Sequence, residues 1–487
     1  MAPQVSLPLR ALAPVATHGV SRITTRTGES PTSVVFPGVA NMADHVPADP
    51  DIAAGPTAVF EIAEPYFQIF STSGTPLTSA APVNTLWSGQ PGGPCAQEPT
   101  GDWSQVIYDQ LAGQFVYART VHVLGEGQAT AYECLAVSET SDPTASWYLY
   151  TMPLASGNDD QTDYPQLGFS AEAYYLGTNL WNSPGGTGTF EGDLLVAYNR
   201  SELLSGEPLS YATAVLPSSF ESFTPTTLEG QTRAPAGSAE MYMGGPSDFL
   251  VRDGGQASTL TYFEATPNWE TGALLMQGPS TVSIGPYNLD PCPQVPDCAP
   301  QPGTSTELEA WTDNLMLPLV YRNFGTYQSI VGTFDVNKSG FPEPEWFELR
   351  LNGSGQPQLY QAAVYGPSSA SRYDQSIAED DSGDIVLAYT LSSSTVFPSI
   401  AAAAHLSFMA AGAMASQVVL FNGSVSQTAS SVGLPPQASP SRWGDASYLA
   451  LAPDGCTLWF ADAYYASTTL PWQTEIVSGK VPGCAGD

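Results

Sequence analysis

The chain has 487 residues, of which 42% are hydrophobic and 11% aromatic, enough to bury a large core. Its 47 acidic and 13 basic residues give a formal net charge of −34, which excludes the basic surfaces that bind nucleic acid or an anionic membrane. The 45 glycines and 43 prolines disfavour long helices and favour short strands joined by turns, so we expect a nearly all-β protein.

The first 44 residues are predicted to be an N-terminal extension. Prolines at positions 3, 8 and 14 interrupt the opening segment, which therefore lacks the unbroken apolar core of a signal peptide. Within the extension, "TSVVF" at 32–36 has the composition of a β-strand. We expect this segment to supply an outer strand that closes the fold.

A repeated pattern runs from residue 49 to the end of the chain. In each copy, an acidic residue precedes a short apolar strand, a turn rich in small or acidic residues, and a longer strand rich in aromatic and β-branched residues, which indicates a hairpin. The acidic residues that mark the copies are 51 to 77 residues apart: Asp51, Asp102, Asp163, Glu240, Glu309, Asp374 and Asp445. The copies at Glu240 and Glu309 match the pattern less well.

A repeat of this length accommodates one four-stranded antiparallel sheet and its loops, the unit of a β-propeller. Because each sheet must stack on its neighbours to bury both faces, the copies are expected to form one domain, residues 45–487. We predict an all-β propeller with seven four-stranded blades, and a six-bladed ring is the alternative if one of the weaker copies is not a blade.

The six cysteines show no CxxC or Cys–His spacing typical of a metal site. We predict disulfides between cysteines close in sequence, which would staple the loops: Cys95 with Cys134, Cys292 with Cys298, and Cys456 with Cys484. Such bridges form in oxidising compartments, so we predict a secreted, extracellular protein. The long uncharged segment 399–423 is Ala-rich and is interrupted by polar residues, so it is predicted to form two strands rather than a membrane span.

The markers lead to a prediction about a site. The first strand of a propeller blade lines the central channel, so residues just before these strands should meet at one mouth of that channel. We therefore name four candidate catalytic residues at an acidic mouth: Asp102, Asp163, Asp374 and Asp445.

Three interpretations of these acids remain open. Each acid accepts hydrogen bonds from turn N–H groups and holds a loop. Alternatively, two of them act as the paired carboxyls of a glycoside hydrolase. In the third interpretation, their oxygens hold a calcium ion, the one cofactor that the sequence suggests.

Aromatic and basic residues flank the acids and are candidate substrate-binding residues: Trp103, Tyr164, Arg372, Tyr373, Arg442 and Trp443. The aromatic rings suit stacking on sugar rings, and the arginines suit an anionic substrate group or a neighbouring Asp that must stay ionised. The chain contains no G-x-S-x-G nucleophile motif and no H-E-x-x-H zinc motif. Neither a serine nucleophile nor a zinc site is therefore indicated.

Three long segments carry a family resemblance: "VIYDQLAGQFVYAR" at 106–119, "DYPQLGFSAEAYYLGTN" at 163–179 and "SRWGDASYLALAPDGCTLWFADAYY" at 441–465. Together with shorter segments, they resemble a broad group of secreted bacterial β-propeller-like proteins, over nearly the whole chain from about residue 45. The resemblance implies the fold, secretion and a bacterial origin, but it carries over no catalytic residue, since most members have no assigned activity. Members commonly read G-D-Y-S where this chain has Gly444–Ser447, so the aromatic residue at 446 is missing here.

The sequence thus predicts a monomeric, secreted β-propeller whose acidic mouth engages an extracellular polysaccharide or glycoconjugate, either binding it or cleaving it as a hydrolase or lyase. The alternative is a non-catalytic scaffold or adhesion module that binds a glycan or a protein surface, with structural acids and calcium as a stabiliser. The enzyme requires two carboxyls in an open cleft. The scaffold instead predicts acids that are consumed in loop hydrogen bonds.

Overall fold

The computed structural model describes most of the chain, namely residues 4–6, 8–9, 21–23, 33–42, 45–97, 103–125, 128–154, 160–182, 188–245, 256–288, 292, 297–310, 314–428, 442–467 and 472–484. In this part of the chain the fold is almost entirely β, with one α-helix, α1 (Arg200–Ser205), and short 3-10 turns at Val83–Trp87 and Pro94–Ala96. The all-β class predicted from the glycine and proline content is confirmed.

Three strands precede the repeated part: β1 (Gln4–Val5), β2 (Ser21–Ile23) and β3 (Ser33–Ala40). From there on, the strands pair antiparallel in groups that we call units, numbered in chain order. Unit 1 contains β4 (Asp51–Ala54), β5 (Ala58–Ala63), β6 (Tyr66–Ser71) and β7 (Ala81–Pro82). Unit 2 contains β8 (Ser104–Asp109), β9 (Gln114–Gly125), β10 (Gln128–Ser138) and β11 (Trp147–Pro153). Unit 3 contains β12 (Asp160–Phe169), β13 (Ala173–Asn182), β14 (Thr189–Asn199) and β15 (Tyr211–Val215).

The pattern continues through the second half. Unit 4 contains β16 (Thr224–Leu228), β17 (Glu240–Gly244), β18 (Gln256–Asn268) and β19 (Ala273–Asn288). A two-stranded sheet of β20 (Asp297–Ala299) and β21 (Leu308–Glu309) follows. Unit 5 contains β22 (Leu319–Asn323), β23 (Gln328–Lys338), β24 (Phe341–Leu351) and β25 (Pro357–Val364). Unit 6 contains β26 (Ser371–Glu379), β27 (Ile385–Ser393), β28 (Val396–His405) and β29 (Val418–Phe421).

Unit 7 joins the two ends of the chain. It contains β30 (Leu449–Leu451), β31 (Thr457–Tyr464) and β32 (Gln473–Lys480). Its fourth strand is β3, which pairs antiparallel with β32 from Val34 opposite Ser478 to Ala40 opposite Gln473. A strand from near the start of the sequence therefore completes the sheet that is built last.

The first strands of the units are the innermost, and they pack against one another in a ring. β4 packs on β8 and on β30, β26 packs on β22 and on β30, and β16 packs on β12 and on β22. Unit 2 meets unit 3 where β9 and β10 pack on β12. This arrangement is a β-propeller. The count of seven blades stays a prediction, because parallel pairing of β15 with β19 and of β16 with β22 joins units 3 to 5 into one 12-stranded sheet.

Successive side chains along each strand point to opposite faces of the sheet. Because both faces are covered, these side chains enter two different core layers. On β5, the side chains of Phe60 and Ile62 pack toward unit 2, whereas Val59 lies in the layer on the other face of the sheet. Phe60 stacks on Phe67 with ring centroids 5.1 Å apart and meets Trp147 edge-on at 5.8 Å. Burial of such rings stabilises each unit by about 25 cal/mol per Å² of apolar surface.

Polar side chains on the first strands link neighbouring units. Gln105 Oε1 accepts the N–H of Leu167 at 2.7 Å, and Ser376 Oγ accepts the N–H of Leu449 at the same distance. These hydrogen bonds take up N–H groups that face the channel, where no fifth strand is available to pair with them. Asp51, the first marker, likewise accepts the N–H of Val106 from the next unit.

Two of the markers were assigned to the wrong strand. Glu240 begins β17, the second strand of unit 4, and Glu309 ends β21 outside the four-stranded units. The first strand of unit 4, "TPTTL", contains Thr and Pro in place of an apolar run, so the more hydrophobic "EMYMG" of β17 was mistaken for it. In unit 5 the first strand is "LVYRN", ten residues after Glu309.

All three predicted disulfides are formed: Cys95–Cys134, Cys292–Cys298 and Cys456–Cys484. The first ties the turn at Pro94–Ala96 to β10, and the third ties the β30–β31 turn to the segment after β32. Bridges of this kind are compatible with an extracellular location. None of the helices in the described ranges is long and apolar enough to cross a membrane.

Candidate active site

The chain enters several first strands through irregular backbone. Asp49, Tyr164 and Asp374 have φ values of 39°, 53° and 51°, in the left-handed region that non-glycine residues rarely adopt. Each such residue costs about 1 to 2 kcal/mol in an L-amino acid. β12 and β26 also carry register shifts between Asp163 and Gln166 and between Tyr373 and Ser376. These irregularities turn side chains toward the mouth of the channel and away from the regular faces of the strands.

Five carboxyl groups and one guanidinium meet at this end of the channel, and we call them the acidic mouth: Asp49, Asp163, Glu309, Asp374, Asp445 and Arg442. The N–H of Asp445 donates to Asp49 Oδ1 at 2.8 Å. Arg442 Nη1 donates to Glu309 Oε1 at 3.1 Å, and its Nη2 is hydrogen-bonded to Asp445 Oδ2. A side-chain carbon on Gly444 would lie only 3.0 Å from Asp374 Oδ2, so Asp374 sits directly against this segment.

The acids of the mouth differ in their access to solvent. Asp374 and Asp445 are 5% and 7% exposed, whereas Asp49 is half-buried and Asp163 is exposed. Asp163 still raises the pKa of Asp445 through its charge. A ligand at the mouth would therefore meet Asp49 and Asp163, with Asp374 and Asp445 behind them.

Burial is the main cause of the raised pKa values at the mouth. Burial raises the pKa of Asp49 to about 7; the charge of Asp445 adds to the rise and Arg442 opposes it. Burial also raises the pKa of Asp374 well above its ordinary value, and the carboxyls of Asp462 and Asp49 add to it. Burial thus favours the neutral form of Asp374, and Asp49 is close to half-protonated at neutral pH.

Arg442 is the one cation at the mouth among the described residues. Burial lowers its pKa, but the charges of Asp445, Glu309 and Asp49 outweigh burial and raise the pKa above its ordinary value. Arg442 also opposes the rise that burial imposes on the pKa of Asp445. The ion pair thus favours the carboxylate form of Asp445, next to acids that tend to be neutral.

Hydrogen bonds satisfy only some of the carboxyl oxygens at the mouth. Within the described part of the chain, Asp374 Oδ1, Asp445 Oδ1 and Glu309 Oε2 have no hydrogen-bond partner. A buried structural acid looks different. Asp109 accepts from Arg200 at 2.7 and 2.9 Å, from the Tyr174 hydroxyl at 2.5 Å, and from two turn N–H groups. Buried acids away from the mouth, such as Asp193 and Asp380, also have one carboxyl oxygen without a described partner, so hydrogen bonding alone does not decide between the scaffold and the enzyme interpretation.

The structure brings three of the four candidate catalytic acids together, namely Asp163, Asp374 and Asp445. The fourth, Asp102, lies outside the described residues. Trp103 and Tyr164 are half-buried beside Asp163, with their rings edge to face at 5.0 Å. They form an aromatic surface at the rim of the mouth.

Three candidate substrate-binding residues are instead packed inside the protein. Arg372 is fully buried, and its Nη1 donates to Glu343 Oε1 at 2.9 Å. Tyr373 is also fully buried, and the Trp443 indole donates to Thr390 Oγ1 at 3.0 Å. This packing does not support direct contact between these side chains and a substrate. Arg442, by contrast, has a side chain that is 30% exposed.

Sequence reasoning missed Asp49 and the deeper acid Asp462. Asp49 lies two residues before the marker Asp51 in "DPD", and the pattern does not distinguish the two carboxyls. Asp462 lies inside β31, where its carboxyl accepts the Thr390 hydroxyl, and burial raises its pKa to about 7. Only the three-dimensional fold shows that β31 approaches the mouth.

The calcium interpretation finds no ligand set in the described ranges. Among those residues, no group of three or more His, Cys, Asp or Glu side chains is placed to hold a metal ion. The carboxyls of the mouth are held by Arg442, by N–H groups and by packing.

Comparisons with known proteins reveal similar folds but no family. No family model matches the chain, and no curated protein matches it either. An α-L-arabinanase from Penicillium chrysogenum, complexed with arabinobiose, is 10% identical over 91% of this chain and 98% of that chain, with a TM-score of 0.34. A fungal alcohol oxidase of the AA5 family, in complex with copper, is 10% identical over 100% of this chain and 79% of that chain, with a TM-score of 0.41. An endo-arabinase from Bacteroides thetaiotaomicron is 11% identical over 63% of this chain and 94% of that chain, with a TM-score of 0.28. Identities and TM-scores this low carry no argument about activity.

Proposed function

We propose that the protein is a secreted glycoside hydrolase that cleaves an extracellular polysaccharide or glycoconjugate at the acidic mouth. The observation that supports this most is the half-buried carboxyl of Asp49, whose pKa of about 7 lets it carry a proton near neutral pH. The exposed carboxyl of Asp163 borders the same mouth. Glycoside hydrolysis requires one carboxyl as proton donor and a second as base or nucleophile.

In this mechanism Asp49 donates its proton to the glycosidic oxygen as the bond to the anomeric carbon breaks. Asp163 takes a proton from the attacking water, or attacks the anomeric carbon itself, because it is the acid most open to solvent. Asp445 and Asp374 do not touch the substrate in this scheme. Burial raises the pKa of Asp49, the charge of Asp445 adds to that rise, and Asp374 lies behind both.

The aromatic rim fits the same class of substrate. Trp103 and Tyr164 lie beside Asp163, and both residues are partly exposed. A sugar ring stacked on them would place its glycosidic bond beside Asp163. The second candidate function, glycan binding without cleavage, depends on this rim alone and requires no proton transfer.

Degradation of a polysaccharide panel, measured as new reducing ends, tests the proposal together with a glycan array. Asp49→Asn and Asp163→Asn should each lower the rate by about 100-fold or more, the typical contribution of a general acid or base. Both variants should still bind the glycan that the array identifies. The control is Glu139→Gln, which removes an exposed charge at the far end of β10. Binding without any cleavage by the wild type would instead support the scaffold function.

A further inference from the structure

A second concave site lies where the first strands end. A cavity of about 400 Å³ is lined by Phe169, the last residue of β12, and Leu228, the last residue of β16. The acidic mouth lies toward the starts of the first strands, with Asp374 in the first half of β26 and Asp49 just before β4. The cavity is therefore at the opposite mouth of the channel, and its volume falls in the range of small-molecule sites, about 300 to 1,000 Å³.

The ionisable residues described in the cavity wall are all acidic. Glu172 and Glu264 line it together with Glu240, whose pKa burial raises to about 8, and none of the described residues that line it is Lys or Arg. Arg233 precedes a lining loop in sequence and is exposed. A net charge of −34 for the whole chain adds to the negative potential.

One side of the wall is apolar or aromatic, whereas the remainder carries polar side chains and glycines. Phe169, Leu228 and Ile330 form one side, and Tyr321 stands beside them with its hydroxyl donating to Gln328 Oε1 at 2.6 Å. A bare metal ion would leave most of this volume empty. In the described part of the chain, moreover, no three acids here are placed to chelate one. The wall instead matches an organic cation with an apolar body.

The loops around the cavity are held in place by their own hydrogen bonds. Asn352 Oδ1 accepts the N–H groups of Ser354 at 2.8 Å and of Gln356 at 3.2 Å, and Ser238 N–H donates to the carbonyl of Pro235 at 3.1 Å. Gly353 lies in this wall, and a side-chain carbon built on it would meet no atom within 4 Å. The cavity is thus preformed, and its space is not filled by the protein.

We infer that this cavity binds a small ligand that carries a protonated primary amine on an apolar frame. The carboxylate of Glu264, which is partly exposed on β18, faces the ammonium group, and Phe169 and Tyr321 cover the frame. The inference is independent of the proposed glycoside hydrolase, because the two sites share no residue.

Isothermal titration of the full chain with benzylamine, and with benzyl alcohol as its neutral counterpart, tests the inference. We expect benzylamine to bind with a Kd of about 1 mM or tighter and benzyl alcohol to bind at least ~10-fold more weakly. Equal affinities, or no benzylamine binding up to about 10 mM, would overturn the assignment of an amine site.

Two matched pairs of variants locate the binding. Glu264→Gln should weaken benzylamine by about 10-fold, whereas Glu270→Gln, which removes the same charge on an exposed turn six residues away, should leave it unchanged. Gly353→Trp should block the cavity. Gly89→Trp places the same ring at another open glycine and should have no effect. If each cavity variant binds like its control, the amine lies elsewhere and the inference is wrong.

Discussion

The two mouths of the channel are built from the same strands, yet they present different chemistry. Where the strands begin, left-handed residues and register shifts bring carboxyls together, and three of their oxygens have no described partner. Where the strands end, hairpin turns and the long connection between β16 and β17 enclose an open cavity, and Glu240 is hydrogen-bonded to the Thr226 hydroxyl. The irregular strand backbone thus concentrates ionisable groups at one mouth, whereas the loops at the other mouth leave space for a ligand.

The largest expected effect separates structural acids from acids of the mouth. Asp109→Asn breaks the buried pair with Arg200 and should lower the free energy of unfolding by about 3 to 5 kcal/mol. Asp374→Asn should change it by less than about 1 kcal/mol, because burial favours the neutral acid, which the amide resembles. Urea denaturation of both variants measures the difference. Equal losses would show that Asp374 is a structural carboxylate.

Buried acids at both ends of the channel make stability depend on pH. Burial raises the pKa to about 7 for Asp49 and to about 8 for Glu240, whereas the unfolded chain has ordinary values of about 4. Between these limits the folded state binds more protons than the unfolded state, so the free energy of unfolding falls as pH rises. This stabilisation is complete below pH about 4 and is lost as pH rises through about 7 to 8. The melting temperature should be at least ~5 °C lower at pH 8.5 than at pH 5, and calorimetry that finds the reverse would contradict neutral burial.

Substitution of Arg442 should have a smaller effect than the pH change, and this effect should be confined to the acidic mouth. Arg442 is the cation that opposes the rise in the pKa of Asp49, beside the hydrogen bond from the Asp445 N–H, so Arg442→Gln should raise that pKa by about 1 unit. If Asp49 is the proton donor, the alkaline limb of the pH–rate profile should move upward by the same amount. Arg442→Lys keeps the charge and should leave the limb near its original position. If the alkaline limb does not move in the Arg442→Gln variant, Arg442 does not influence the group that donates the proton.

The smallest effect is expected from alanine substitutions that test how crowded the backbone is at each mouth. A methyl group on Gly444 would press on Asp374 Oδ2 at 3.0 Å, so Gly444→Ala should cost about 1 kcal/mol of unfolding free energy. Gly353 has open space around it, so Gly353→Ala should stay within about 0.5 kcal/mol of the wild type. Thermal denaturation of the two variants measures the contrast. A tolerant Gly444 would mean that the mouth is looser than the structure indicates.

Sequence patterns predicted the fold because the hairpins alternate apolar residues on strands that are buried on both faces, as in β5. They also predicted the disulfides, since each bridge spans a local loop. The same reasoning failed for Glu240 and Glu309, because a first strand such as "TPTTL" is stabilised by its position in the ring and has no apolar run. The intrinsic strand propensity of this segment gives no information about its position in the ring.

The candidate site was harder to predict from sequence than the fold. Asp445 precedes β30 and Asp374 lies in the first half of β26, and the pattern located both. The burial of Arg372 and Trp443 depends on packing between units, which a single hairpin does not reveal. Asp49 was overlooked because a shift of two residues changes which carboxyl reaches the mouth, and only the backbone conformation distinguishes Asp49 from Asp51.

The pairing of β3 with β32 has a consequence for biosynthesis. Val34 and Ser478 are 444 residues apart, so β3 leaves the ribosome long before its partner is made. At ~5 to 20 residues per second, β3 waits roughly 20 to 90 s with an unpaired edge. An unpaired strand is a template for pairing with other chains, so this segment is where a nascent or truncated chain is most exposed to aggregation. Chains that stop before β32 should therefore accumulate in the insoluble fraction even when their earlier units are intact.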